Sequence, residues 1–208
     1  MTDTSKTTGT FLHVGAGTAS NKRLPRLFDG WKEVRVDIDP RMRPDIVASM
    51  TEITDVEDAS MDAIWCSHSL EHVSPHEVTQ ALSEWRRVLK SDGFAFITTP
   101  DLMQAARLVA AGKISEVVYT SPAGPVTALD LIYGQSDAIA KGLTYMKHET
   151  GFTLDSLGER LTKEGFERVD VWVEGLSLWA MAYSTEKSFE LYGWDPNEEQ
   201  NHEPLPDA

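Results

Sequence analysis

The chain has 208 residues, with 19 lysines and arginines against 33 aspartates and glutamates, a formal net charge of −14 and 41% hydrophobic residues. That length supports one domain with a sizeable core, and the charge disfavours a broad grip on nucleic acid or an anionic membrane. Residues 1–10 are polar, no apolar run is long enough to span a bilayer, and Cys66 is the single cysteine, so neither membrane insertion nor an internal disulfide is expected and the expected location is cytoplasmic.

Phe11-Leu12-His13-Val14 is a short apolar run that breaks at Gly15-Ala16-Gly17, the pattern of a buried strand running into a glycine turn. Residues 33–37 give a second strand, closed by Asp37-Ile38-Asp39-Pro40, and residues 45–48 a weak third. Residues 62–66 and 94–98 read as the fourth and fifth, the latter stopped by Pro100. Between them Val78, Ala81, Leu82, Trp85, Val88 and Leu89 recur at spacings of three and four, which predicts a helix over residues 76–90, followed by a turn at Ser91-Asp92-Gly93. Asp101 can cap a helix reaching Ala111. Residues 112–151 break the alternation and hold Pro122-Ala123-Gly124-Pro125; one helix is expected there, over 127–141, and the segment reads as a lid or substrate wall. A helix over 153–164 follows, then an alternating strand at 169–173 and a second at 176–183, joined by Glu174-Gly175. The fold class is therefore α/β with a mostly parallel sheet and a closing antiparallel hairpin. Residues 1–184 form the expected domain, and 185–208 an acidic, partly disordered tail of net charge −6.

Gly15-Ala16-Gly17 lets the backbone turn tightly and approach a ligand, but Ser20 stands where a dinucleotide fingerprint places its last glycine. Asp37 ends the second strand, where an open parallel sheet faces an adenosine ribose; it is favoured over Asp39 for that contact.

Four segments together resemble the class I S-adenosylmethionine-dependent methyltransferase family (methyltransferase type 11-like). They are Leu12-His13-Val14-Gly15-Ala16-Gly17, Val36-Asp37-Ile38-Asp39-Pro40, the run from Asp62 to Val73, and Trp85-Arg86-Arg87-Val88-Leu89-Lys90-Ser91-Asp92-Gly93. The resemblance covers residues 11–100 and implies a Rossmann-like doubly wound seven-stranded sheet of order 3-2-1-4-5-7-6. It implies S-adenosyl-L-methionine as cofactor and S-adenosyl-L-homocysteine as product. By the same resemblance Gly15, Ala16 and Gly17 border the methionine and ribose, Asp37 binds the ribose hydroxyls and Ile38 lies on the adenine. Ser49, Met50 and Thr51 meet the adenine edge, and Ser67 and His68 lie near the sulfonium. His13 stands where the family usually has an acid that helps anchor the methionine amine, and Ser49 where it often has Asp.

The remaining constellations have plainer readings beside the sharper ones. His68-Ser69-Leu70-Glu71-His72 spells H-x-x-E-H, and His76 extends the spacing, but Pro75 interrupts the helix that a zinc hydrolase motif needs. Methyl transfer from a sulfonium requires no metal, and none is expected. His148, just before the helix at 153, and His72, after the fourth strand, are the candidate general bases. Tyr133 and Tyr145 read as packing under the insert or as an aromatic wall, Cys66 as a buried thiol, and Lys22, Arg23, Arg26, Lys32, Arg35, Arg41 and Arg43 as a solvated basic stretch or an anion site.

The expected function is methyl transfer to an oxygen or nitrogen nucleophile of a small-molecule or glycan-type acceptor. A noncatalytic cofactor-binding or interaction module with this fold is the alternative, and a nicotinamide-dependent reductase is disfavoured by the missing third glycine. The oligomeric state is open, a homodimer included.

Overall fold

The structure is a computed structural model that describes residues 8–18, 24–121 and 124–192. The strands are β1 (Thr10–Val14), β2 (Lys32–Asp37), β3 (Ile46–Val47), β4 (Met61–Ser67), β5 (Leu89–Pro100), β6 (Val117–Ser121), β7 (Gly124–Thr127), β8 (Arg168–Glu174) and β9 (Ser177–Tyr183). The helices are α1 (Pro75–Val88), α2 (Leu102–Ala110), α3 (Ala128–Tyr133), α4 (Ser136–Ala140), α5 (Leu154–Lys163) and α6 (Glu186–Tyr192). Seven strands form one sheet in the order β3-β2-β1-β4-β5-β9-β8. β1 to β5 run parallel, and β9 and β8 close the sheet antiparallel. The order differs from the expected one only in that the insert contributes two strands of its own, β6 and β7, paired as a separate hairpin.

Register fixes where the loops emerge. Val14 pairs with Val36 and Cys66, Asp37 with Val47, and Ser67 with Thr98. The segments after β1, β2, β4 and β5 therefore leave the sheet at one edge, the carboxyl edge where open α/β sheets hold ligands.

The two sheet faces are packed differently. On one, Leu12, Ile64 and Ile97 pack with Val78, Leu82 and Trp85 of α1 and Leu157 and Leu161 of α5, all essentially inaccessible to solvent. Each such side chain contributes about 1.5–3 kcal/mol by leaving water. On the other, Phe11, Phe28, Trp65, Phe94, Phe96 and Tyr183 form an aromatic layer. Helix α6, the described part of the expected acidic tail, lies on that layer: the Tyr192 ring is 5.0 Å from that of Phe94, and the Arg168 guanidinium sits 3.3 Å over Phe189. The rest of the tail, residues 193–208, lies outside the described residues.

Several local expectations are corrected. α1 ends at Val88, and Ser91-Asp92-Gly93 belong to β5; the register jumps from Met61–Leu89 to Ala63–Phe94, so residues 90–93 bulge from the ladder instead of making a glycine-capped turn. The single helix expected over 127–141 is two, α3 and α4, parted at Gly134. Pro75 does start a new helix: residues 70–72 form a 3-10 turn, and α1 begins at Pro75 with the Ser74 N–H on Glu77 Oε2 at 2.9 Å. Asp101 caps α2 by accepting from Met103 N–H at 2.9 Å, and it is 3% exposed, so capping is the role its geometry supports.

Candidate functional site

The glycine turn closes on the end of β2. Gly17 N–H donates to Asp37 Oδ2 at 2.8 Å, and Asp37 Oδ1 accepts from Asp39 N–H at 2.8 Å. One carboxylate thus ties the loops after β1 and β2 together. Gly15 has φ +66°, and a Cβ there would lie 2.0 Å from Ser69 Oγ, so only glycine brings the turn this close to the loop after β4. Arg35 is the residue that sequence reasoning misplaced. It is 7% exposed, not solvated, and its guanidinium donates to the carbonyls of Gly17, Met42 and Arg43. The missed signal is its place in the alternating β2 run, two residues before Asp37 and on the same side of the strand.

Ile38, 59% exposed, stands beside this cradle with its side chain in the open, as a residue covering a planar ring would. Ser49 Oγ lies 2.8 Å from Thr51 Oγ1, within a tight turn that also holds Met50 against the main core. His13 Nδ1 is 2.8 Å from Glu33 Oε1, and its ring lies near Phe11 and Trp65 of the aromatic layer.

At the end of β4 the chain turns sharply. His68 has φ +46°, an uncommon conformation for a residue with a side chain. Its N–H bonds Thr98 O at 2.9 Å, and its Nε2 lies 3.0 Å from Thr98 Oγ1 and 3.4 Å from Ser177 Oγ. That turn drives Glu71 inward to 1% exposure, where Thr99 Oγ1 donates to Oε2 at 3.2 Å. Burial pushes the Glu71 pKa up, but the His68 contact and the neighbouring His72 and His148 outweigh it and hold the carboxyl below its ordinary range.

The insert reaches the same edge from above. Glu149 and Thr150 N–H groups donate to Glu71 O at 2.9 and 3.1 Å. Gly134 lets the insert fold back on itself, since a Cβ there would lie 2.0 Å from Met146 O. This seats His148 beside His72, with ring centroids 5.0 Å apart. His148 Nδ1 donates to Leu131 O at 3.0 Å and His72 Nδ1 to Lys147 O at 2.9 Å, which leaves Nε2 as the basic nitrogen of each ring. Burial lowers the His148 pKa, so its ring favours the neutral form. A cavity of about 200 Å³ opens here, lined among others by Glu71, Pro100, Leu131, Tyr133 and His148.

A second anchor ties the insert to the loop after β2. Tyr145 Oη–H donates to Asp39 Oδ2 at 2.7 Å, and Arg41, paired with Asp39 at 2.8 Å, reaches Tyr145 Oη at 3.3 Å. Asp39 is thereby committed to the latch. Tyr133, 63% exposed, and Tyr145 are not packed beneath the insert as expected. Replacing Tyr145 with Phe is expected to change global stability by no more than about 1 kcal/mol while accelerating proteolytic cleavage within residues 112–151. The Arg41 hydrogen bond, then that of Tyr145, holds the Asp39 pKa below the ordinary carboxylate range. The latch is therefore complete above that range and persists as pH falls through it, and it is lost only when pH passes the lowered pKa.

The structure thus gathers Gly15, Ala16, Gly17, Asp37, Ile38, Ser67, His68, His72 and His148 along one sheet edge. His76 is not part of the group; its Nδ1 lies 3.0 Å from Ser74 Oγ at the start of α1. Cys66 is fully buried, and burial pushes its thiol pKa up, so it is not a nucleophile here. Lys22 and Arg23 lie outside the described residues.

Residues 12–97 match a family model described as a methyltransferase domain. Among solved structures, the chain is similar to a 1,6-didemethyltoxoflavin-N1-methyltransferase of Burkholderia thailandensis, crystallised with 1,6-didemethyltoxoflavin and S-adenosylhomocysteine; the two are 17% identical, covering 86% of this chain and 72% of that one, with TM-score 0.54. It is also similar to a protein of Pyrococcus horikoshii OT3, at 21% identity over 86% of this chain and 83% of that one with TM-score 0.57. A SAM dependent methyltransferase of Archaeoglobus fulgidus is 15% identical over 86% and 87% of the two chains, with TM-score 0.55. At these identities the likeness establishes the fold. No curated protein sequence matches the chain. Among the described residues no helix is long and apolar enough to cross a membrane.

Proposed function

We propose that this chain, whose residues 12–97 match a methyltransferase-domain model, is a class I S-adenosylmethionine-dependent methyltransferase that transfers a methyl group from S-adenosyl-L-methionine to an oxygen or nitrogen of a small-molecule or glycan-type acceptor in the cytoplasm. The observation that carries this reading is the Gly17 N–H bond to Asp37, which closes a glycine cradle at the carboxyl edge of the sheet. Two features support the cofactor there: a Cβ at Gly17 would meet nothing within 4 Å, so the turn is open on that side, and Asp37 presents a carboxylate where ribose hydroxyls need acceptors.

The bound sulfonium supplies an electrophilic methyl group. The protein's work is then alignment, exclusion of water and disposal of a proton. In this reading Gly15, Ala16 and Gly17 border the methionine and ribose, Ile38 covers the adenine, and Ser49, Met50 and Thr51 meet its edge. Ser67 and His68 bound the reacting end. The insert shuts the edge from above through Tyr145 and Glu149. The cavity of about 200 Å³ is smaller than those that enclose drug-sized ligands, so it takes the reacting end of the acceptor and leaves the remainder outside. The basic Nε2 atoms of His148, which lines the cavity, and of His72 beside it are the proposed proton acceptors. His13, bound to Glu33, stands at the methionine end of this contact set.

Calorimetry with S-adenosylmethionine and S-adenosylhomocysteine tests the reading. One-to-one binding is expected for both. Absence of binding at millimolar cofactor would overturn it in favour of the noncatalytic module.

A further inference from the structure

We propose that Glu71, His72 and His148 form a binding site for one divalent transition-metal ion of the zinc or cobalt class, open on the cavity side. One ligand atom from each of the three residues lies within 4.8 Å of the others. The residues come from the loop after β4 and from the far end of the insert, 76 positions apart between His72 and His148. Their meeting is a product of the fold, not of one helix, and it differs from the H-x-x-E-H reading because His148 takes the place of His68 and His76.

The second observation is a buried carboxylate oxygen that accepts no hydrogen bond. Glu71 Oε1 is shielded from solvent, and its ion-pair contact with His68 Nδ1 spans 3.6 Å, beyond hydrogen-bond distance. A buried carboxylate oxygen without a hydrogen bond is costly, and a cation bound here would offset that cost. The other Glu71 oxygen accepts from Thr99 Oγ1.

The histidines are prepared in the same way. Each donates its Nδ1–H to a backbone carbonyl, His72 to Lys147 and His148 to Leu131. Ligating histidines generally show this arrangement, because it fixes the tautomer and leaves a basic Nε2 for the metal. Two imidazoles and one carboxylate are a borderline donor set, suited to zinc, cobalt or iron more than to magnesium or calcium. In a tetrahedral site with bonds of about 2.1 Å, ligand atoms stand roughly 3.4 Å apart, so the donors would draw together on binding. The rings of His72 and His148 are half-buried.

Three protein ligands leave a position for the acceptor. Glu71 and His148 both line the cavity, so a metal here would hold the acceptor's oxygen or nitrogen and raise its acidity. The two rings would then bind the metal in place of taking the proton. That consequence rests on the methyl-transfer reading; the site itself does not.

The test uses the full chain without an affinity tag, stripped with chelator and titrated with Co²⁺ by visible absorption and with Zn²⁺ by calorimetry, in the absence of cofactor. One equivalent of each ion, d–d absorption bands with Co²⁺ and a raised unfolding temperature are expected. Glu71→Gln, His72→Ala and His148→Ala should each weaken binding at least ~10-fold, while His76→Ala leaves it unchanged. Glu71→Gln alters a fully buried group; if it does not fold, the two histidine variants carry the comparison. Failure of the unaltered chain to bind either ion at millimolar concentration, or binding indifferent to all three substitutions, overturns the proposal. Metal binding without cofactor binding would sink methyl transfer and leave the site standing; the converse would sink the site alone.

Discussion

Gly15→Ala is expected to lower the unfolding temperature by roughly 4–8 °C and to weaken S-adenosylmethionine binding at least ~10-fold. Two costs combine. The position has φ +66°, which charges a residue with a side chain about 1–2 kcal/mol. The new Cβ would also stand 2.0 Å from Ser69 Oγ and 2.6 Å from Ser69 Cβ, so the glycine turn and the loop after β4 must separate. A total near 2 kcal/mol moves the melting temperature of a domain this size by about that range. The double variant Gly15→Ala with Ser69→Gly removes the colliding atoms and keeps the backbone cost. It should recover part of both losses. Thermal unfolding and calorimetry of the two variants decide the matter, and normal binding by the single variant would refute the close approach.

Asp37→Asn should raise the dissociation constants of S-adenosylmethionine and S-adenosylhomocysteine by about 10–100-fold, because hydrogen bonds to a charged acceptor are worth about 1.5–3 kcal/mol. The amide keeps the size of the side chain but presents NH₂ to one of the two backbone donors, Gly17 N–H or Asp39 N–H, that the carboxylate satisfies. A stability loss of about 1 kcal/mol accompanies the binding loss. If stability falls and binding does not, Asp37 is a loop anchor and its proposed ribose contact is wrong.

The sheet and its ligand edge were legible because they rest on short, uninterrupted patterns. Phe11-Leu12-His13-Val14 is apolar, ends in glycine and folds as read. The stripe from Val78 to Val88 has one buried face, as its spacing requires. The insert was less legible because its elements are too short to show a period. β6 alternates weakly, and Gly124-Pro125, which reads as part of an interruption, belongs to β7, with Gly124 opposite Ser121 and Pro125 opposite Thr120. Gly134 falls inside an apparently helical stretch, and its close approach to Met146 is visible only once the chain has folded back. Arg35 was misread because composition places it among exposed basic residues; only its three carbonyl partners show it as an internal brace. His148 could be singled out from sequence, but its neighbours could not, since residues so distant in the chain meet only through tertiary structure.

The insert has a small core of its own. Val126 and Leu131 pack on Ala105 of α2, apart from the two large cores that hold the sheet. Substitutions inside that patch therefore reshape the insert while the sheet and the glycine turn keep their own support. The two halves of the site meet through Tyr145, the backbone above Glu71 and the His72 bond to Lys147 O. Under the proposed function, acceptor preference can drift in such an architecture at small risk to the folding of the whole, with the glycine turn as a common base.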